Sequence, residues 1–251
     1  AGKGDPGVYE NGIADNAEGI AEAGIQIISG MARGIDGAGQ RGALNSSWAK
    51  ESGVTYAVLG CGVDVCYPRD HIGLYMDIIE HGGGILSEFP PGTPPLAMNF
   101  PMRNRIISGL SDLVLVVEAR KRSGSLITAD LALEQGKEVF SLPGRRIDPL
   151  SEGCNRLIAQ GAGIVTKPED VLDFFHIKCK NSCKKTIKSV NALAKSEKMV
   201  YSCLDFEPRH IEEIALRTGL SVSQSMDALL ELELGGYAVR TAGLYYTKRL
   251  F

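Results

Sequence analysis

Two short stretches hold most of the side chains able to do chemistry. The first covers residues 99–144. Arg103, Asn104 and Arg105 stand there in a helical pattern, and an apolar run, residues 113–117, comes next. A basic knot of Arg120, Lys121 and Arg122 then opens onto Ser123, Gly124 and Ser125. The second stretch is Ser29-Gly30-Met31-Ala32-Arg33-Gly34-Ile35-Asp36, set between an apolar run and a helical one. In both, positive charge meets a strand end and a helix start. Such a junction favours phosphate, because the first N–H groups of a helix lack intrahelical partners and the helix dipole adds positive charge there. Arg grips phosphate through two parallel hydrogen bonds. Arg33 and at least one of Arg103 and Arg105 are therefore expected on phosphate. Gly30 and Gly34 let the backbone approach a ligand. Phe100 reads either as a core residue or as a platform for an unpaired base. Asn104 reads either as part of the site or as a polar residue fixing loops. Asp36 reads as a helix-start residue.

Several chemistries are excluded by what these stretches lack. Neither contains the glycine spacing of a dinucleotide-binding turn or of a Walker phosphate loop, so no cofactor is expected. No catalytic constellation emerges. His71 and His81 sit in helical context without a nucleophile signature, and Glu88 reads as a rim residue ahead of a hydrolytic base. The six cysteines and four histidines make no zinc pattern. Scattered cysteines fit reduced thiols in a cytoplasmic protein. A net charge of −3 announces no polyanion partner, so any nucleic-acid site has to come from local clustering. No stretch has the length and apolarity of a membrane span.

The elements that would position these residues alternate along the chain. Helical patterns cover residues 13–23, 34–51, 71–80, 99–110, 125–135, 155–160 and 168–175. Ala38, Leu44, Trp48 and Ala49 are expected core contacts of the second. Short apolar strand runs cover residues 25–29, 55–59, 85–88, 113–117, 138–142 and 163–165. Continuous apolar strands between helices imply an α/β fold, a Rossmann-like doubly wound and mainly parallel sheet. Ligands then bind beyond the carboxyl ends of the strands. The opening residues 1–12 are polar and Gly-rich, with no strand run; Lys3 reads either as a remnant of a phosphate turn or as part of a tail. The first domain is taken as residues 1–175. Residues 176–195 hold six lysines and no acid, and read as a basic linker. Residues 196–251 give three helical runs (197–204, 210–218 and 221–234) and a hairpin (237–240 and 244–247), a winged helix-turn-helix. Its third helix holds Gln224, Asp227, Glu231 and Glu233 but no cation, which suits protein contact better than duplex reading.

Taken together, SGMARGID (29–36), LGCGVDVCYP (59–68), SEFPPGTPP (87–95), NFPMRNRIISGLSDLVLVVEA (99–119), SGSLITADLALEQGKEVFSLPG (123–144) and GCNRLIAQGA (153–162) resemble the DNA processing protein A (DprA, or Smf) family, in order and over nearly all of residues 12–175. The resemblance implies a cytoplasmic, non-enzymatic protein that binds single-stranded DNA, protects incoming DNA during natural transformation and loads the recombinase RecA. It places Gly30, Arg33, Gly34, Phe100, Arg103, Asn104, Arg105, Lys121, Arg122, Ser123, Gly124 and Ser125 at the DNA. It also implies a homodimer, with Asn155 and Ile164 as candidate contacts. The competing enzyme reading, a nucleotide-processing hydrolase of the phosphoribohydrolase type, requires a double-glycine signature where this chain has SGSLITADLALE. A winged-helix transcription factor is disfavoured by the acidic third helix.

Overall fold

The computed structural model describes residues 6–50, 52–177, 193–205, 207–241 and 243–248. Lys3 and all but the ends of the expected basic linker lie outside the described residues. The chain divides into two compact units, the larger spanning residues 13–179 and the smaller combining residues 1–12 with 180–251.

The larger unit alternates helix and strand from end to end. Helix α1 spans Pro6–Glu22 and leads to β1, Ile27–Ser29. Then follow α2 (Ile35–Leu44), β2 (Thr55–Val58), α3 (Ile72–Glu80) and β3 (Gly84–Leu86). Next come α4 (Asn99–Leu110), β4 (Leu113–Val116), α5 (Gly124–Glu134) and β5 (Glu138–Ser141). The unit closes with α6 (Glu152–Ala159), β6 (Gly163–Ile164) and α7 (Pro168–Phe174). All strand pairs are parallel, in two groups of three ordered β1-β2-β3 and β4-β5-β6. This is the Rossmann-like α/β class that the apolar runs imply. Val114, Val116 and Val139 pack against Leu126 and Ala129 of α5 and Leu157 of α6. Ala57 and Leu59 pack against Leu74 and Ile78 of α3. Helices on the sheet faces explain why the strands are apolar throughout rather than alternating.

Two elements differ from expectation. Helix α1 begins at Pro6, well before residue 13, so the polar opening is partly helical. The helix expected over residues 34–51 breaks after Leu44 and resumes as a single 3-10 turn, Ser47–Lys50. Glu22 explains the break. Its carboxylate accepts from the Ser47 backbone N–H at 2.6 Å and from the Ser47 hydroxyl at 2.7 Å. The Trp48 indole donates to the Glu22 carbonyl at 3.0 Å, leaving a residue expected in the core 45% exposed.

The smaller unit comprises α8 (Lys195–Cys203), β7 (Arg209–His210), α9 (Ile211–Thr218), α10 (Val222–Leu234), β8 (Ala238–Arg240) and β9 (Tyr245–Lys248). Ser221 caps α10, its hydroxyl accepting from Gln224 N–H while the Gln224 side chain accepts from Ser221 N–H. That reciprocal pair fixes where the third helix starts. Ile211, Ile214, Leu229, Leu232 and Tyr237 form the core. The antiparallel sheet runs β7-β9-β8, and two-residue β7 is too short to show as a pattern in sequence. A three-helix core with a terminal hairpin is a winged helix.

Candidate functional site

The carboxyl ends of β1 and β4 bring the two motif stretches into one region of the larger unit, since residues after both strands line one cavity. The groups after β1 are mutually satisfied. Asp36, at the start of α2, accepts from the Gly30 N–H at 3.0 Å and the Ala32 N–H at 3.2 Å. Both N–H groups belong to the loop before α2, so a carboxylate from the first turn of the helix closes that loop. Gly30 is still required, because a Cβ there would lie 2.5 Å from the Arg103 guanidinium. Gly34 has φ 81°, a conformation that only glycine adopts freely. Between them Met31, fully buried, holds φ 55°, and its carbonyl is hydrogen-bonded to His71 Nδ1 at 3.0 Å. His71 is thus a loop anchor.

Arg33 is exposed, but its guanidinium forms two 3.0 Å hydrogen bonds with the Asp70 carboxylate. That pairing raises the Arg33 pKa and lowers that of Asp70. Arg105 is likewise exposed and paired, with Glu88. Arg103 corrects the expectation more sharply. It is 5% exposed and donates to the carbonyls of Gly30 and Val58. Burial pushes its pKa down. It ties the ends of β1 and β2 to α4 and does not reach a surface strand of phosphates. The sequence held the clue: Phe100, Arg103, Ile107 and Leu110 share one helical stripe, and Arg103 stands in its middle.

Phe100 is half-buried. It sits against Gly60, where a Cβ would come within 2.9 Å of its ring, and 5.5 Å from the ring of Tyr67. The packing reading holds for Phe100, and the exposed aromatic beside it is Tyr67, 43% exposed, which pattern reasoning missed. Asn104 is half-buried and donates to the Gly124 carbonyl at 3.4 Å, so it pins the start of α5.

The end of β4 is different in kind. Arg120, Lys121 and Arg122 are all exposed. Among the described residues none is paired with them. They lead directly into α5, whose first turn contains no acid. Ser123 caps it weakly, its hydroxyl accepting from the Ser125 N–H at 3.3 Å. Three free cations thus stand beside a helix start closed by no carboxylate, which is the arrangement that holds an anion. The loop after β5 adds Arg145 and Arg146, both exposed. Sequence reading passed over them, although a double Arg after Pro143-Gly144 at a strand end was visible.

Asn155 and Ile164 fall on different footings. The Asn155 side chain donates to the Gly144 carbonyl at 3.0 Å and accepts from the Gly144 N–H at 3.1 Å. Its amide pins the β5–α6 loop while the residue stays half-buried. Ile164 is 52% exposed on the edge strand β6. Cys61 and Cys154 are buried free thiols whose pKa values are raised chiefly by burial, so they are inert rather than nucleophilic. Among the described residues, no cluster of His, Cys, Asp and Glu could hold a metal ion. No helix among them is long and apolar enough to cross a membrane.

Fold and site together define a Rossmann-like domain with a cationic rim, joined to a winged helix. Residues 8–176 match the family model described as DNA recombination-mediator protein A, and residues 187–243 match the DprA winged helix domain. The chain belongs to the DNA recombination-mediator protein A family, as its motifs implied. It is 44% identical over 239 residues to Protein Smf of Escherichia coli, covering 92% of this chain and 62% of the relative. It is 48% identical over 151 residues to DNA processing protein DprA of Streptococcus pneumoniae, covering 60% of this chain and 51% of the relative. The chain therefore spans about half to two thirds of these relatives' length. Among solved structures, S. pneumoniae DNA processing protein A superposes with TM-score 0.57 at 41% identity, covering 69% of this chain and 57% of that one. The DNA processing protein A of Helicobacter pylori, whose structure describes a single-stranded DNA binding mode, gives TM-score 0.59 at 29% identity, covering 67% and 74%.

Proposed function

We propose that the larger unit binds single-stranded DNA along the rim formed by Arg120, Lys121, Arg122 and the start of α5. The observation that carries this reading is the free cationic knot beside an unclosed helix start, on a chain whose net charge is −3. Such a rim attracts phosphates and reads no base. Tyr67 beside Phe100 offers a stacking surface. The H. pylori relative, described for its single-stranded DNA binding mode, supports single-stranded DNA as the ligand. The protein works by binding and carries out no reaction of its own: the one carboxylate offered as a hydrolytic base, Glu88, is engaged by Arg105. In its cellular role it shields single-stranded DNA and hands it to the recombinase RecA during transformation and recombination. It acts as a cytoplasmic homodimer, with Ile164 on β6 at the contact. The winged helix contacts protein, since α10 (VSQSMDALLELEL) contains three acids and no cation.

Fluorescence anisotropy with a labelled oligonucleotide, competed by unlabelled single strand or duplex of equal length, tests the central point. The single strand should compete at least about tenfold better, with an affinity that falls steeply with salt. Equal competition by duplex would move the reading to the winged helix.

A further inference from the structure

Helix α10 is the third helix of the smaller unit, and it carries more apolar surface than its own core uses. Ser225, Ala228, Leu229 and Leu232 are buried and form its inward face, at the spacing of one helical side. Val222, Met226, Leu230 and Leu234 lie outside that face and are between 39% and 75% exposed. Exposed apolar residues scattered singly need no explanation. These are not scattered. Each stands four residues after the last, so successive side chains are neighbours on the helix surface and make one ridge about 18 Å long. Ridges of residues four apart are the surfaces by which helices interlock. The shape therefore suits the groove of another helix.

The charges beside the ridge select the partner. With about 100° of turn per residue, Asp227 and Glu231 follow the ridge along one flank, each one position after a ridge residue. Glu233 stands on the other flank, one position before Leu234. All three acids are exposed. α10 contains no Lys or Arg to offset them. The nearest cation before it in sequence, Arg217, is held by Glu213 at 2.9 Å. A second copy of this helix would set acids against acids, and a phosphate backbone would meet the same repulsion. A helix that carries Lys or Arg beside its own apolar ridge would find both its ridge and its charges matched.

We propose that the Val222–Leu234 ridge docks an amphipathic helix of a different protein, apolar along one ridge and bordered by Lys or Arg. The proposal rests on the reading that the winged helix contacts protein, and it names the chemistry of that contact. Its test uses the 251-residue chain and two synthetic helical peptides of about 18 residues, long enough to hold a helix when docked. One has leucines four residues apart flanked by lysines; in its twin every lysine is replaced by glutamate. The lysine peptide should bind at least about tenfold more tightly than its twin. Leu230→Gln should weaken that binding about tenfold. Asp227→Lys combined with Glu231→Lys should invert the preference, so that the glutamate peptide binds better. All three residues are exposed, so the thermal unfolding midpoint should not move. Binding of the lysine peptide that is unaffected by Leu230→Gln, or a preference that does not invert, overturns the proposal and leaves the protein-contact reading in place. Self-association that is lost in Leu230→Gln overturns it in favour of a second copy. Duplex DNA that is bound by the parent chain and released by Leu230→Gln overturns both the proposal and the reading beneath it.

Discussion

The ends of β1 and β4 are built from the same materials and reach opposite states. Each follows an apolar parallel strand, carries arginine and opens a helix. After β1 the charges are cancelled: Asp36 holds two loop N–H groups, Arg33 is locked to Asp70, and Arg103 is buried on carbonyls. After β4 three cations are unpaired among the described residues, and α5 starts with a weak serine cap. The comparison teaches that arginine content does not locate an anion site. What locates it is the surplus of donors over the carboxylates the fold supplies. One end is organised to hold the sheet together, and the other keeps its cations unpaired among the described residues.

The largest expected effect comes from removing the surplus. Replacing Arg120, Lys121 and Arg122 together by Ala should weaken single-stranded DNA binding about 100-fold at 0.1 M salt, taking about 0.7 log units per phosphate contact and decade of salt. The slope of log affinity against log salt should shrink by about 2. Stability should stay within about 0.5 kcal/mol, because these side chains are exposed. A full-strength salt slope in the triple variant would remove the β4 rim from the binding surface.

Arg103 should behave in the opposite way. Arg103→Met keeps the stem in the stripe with Phe100 and Ile107 but strips the carbonyls of Gly30 and Val58 of their donor. Charged hydrogen bonds are worth about 1.5–3 kcal/mol, so unfolding by urea should show a loss of roughly 2 kcal/mol. DNA affinity of the folded fraction should change less than twofold. A stable variant with weakened binding would reverse the division of labour between the two ends.

Much of this was readable from sequence, for a clear reason. The strands are continuous apolar runs and α4 is bounded by local signals, so residues 99–110 were legible as the helix that forms. The third helical run was read from Ser221, the residue whose hydroxyl caps α10. What could not be read was which cations are cancelled. Asp70 lies 37 residues from Arg33, and Glu88 lies 17 from Arg105. Tertiary structure alone brings them together. Arg103 and Arg105 differ by two positions, about 200° around a helix, so one faces the sheet and the other solvent. Trp48 was misread because the carboxylate that breaks its helix, Glu22, belongs to α1.

A smaller effect sharpens the comparison from the β1 side. Asp70→Asn should release Arg33, an exposed guanidinium already close to the strand ends. Exposed pairs are worth about 0.2–1 kcal/mol, so single-stranded DNA binding should tighten about twofold to threefold at low salt. The gain should vanish in the double variant that also carries Arg33→Ala. Unchanged affinity in Asp70→Asn would mean that Arg33 is out of reach of the bound strand.

The smallest effect concerns a third helix start, which shows what closure by a carboxylate does where no ligand is at stake. Asp170, in the first turn of α7, accepts from the Thr166 N–H at 2.7 Å, the Thr166 hydroxyl at 2.9 Å and the Lys167 N–H at 3.1 Å. These bonds, led by that from the Thr166 backbone, hold its pKa below the usual carboxylate value. A carboxylate depressed in the folded state stabilises above its unfolded pKa of about 3.9 and loses that contribution as pH falls through the lower folded value. Asp170→Ala should therefore cost about 1 kcal/mol near pH 7, as loss of a helix cap does, and the difference from the parent should close below about pH 4. Urea midpoints measured from pH 7 down to pH 3 test this, and a gap that stays constant across that range would assign the cap's contribution to packing rather than to charge. α7 is closed by Asp170 as the loop before α2 is closed by Asp36. The start of α5 has no acid in its first turn and is closed only by the Ser123 hydroxyl.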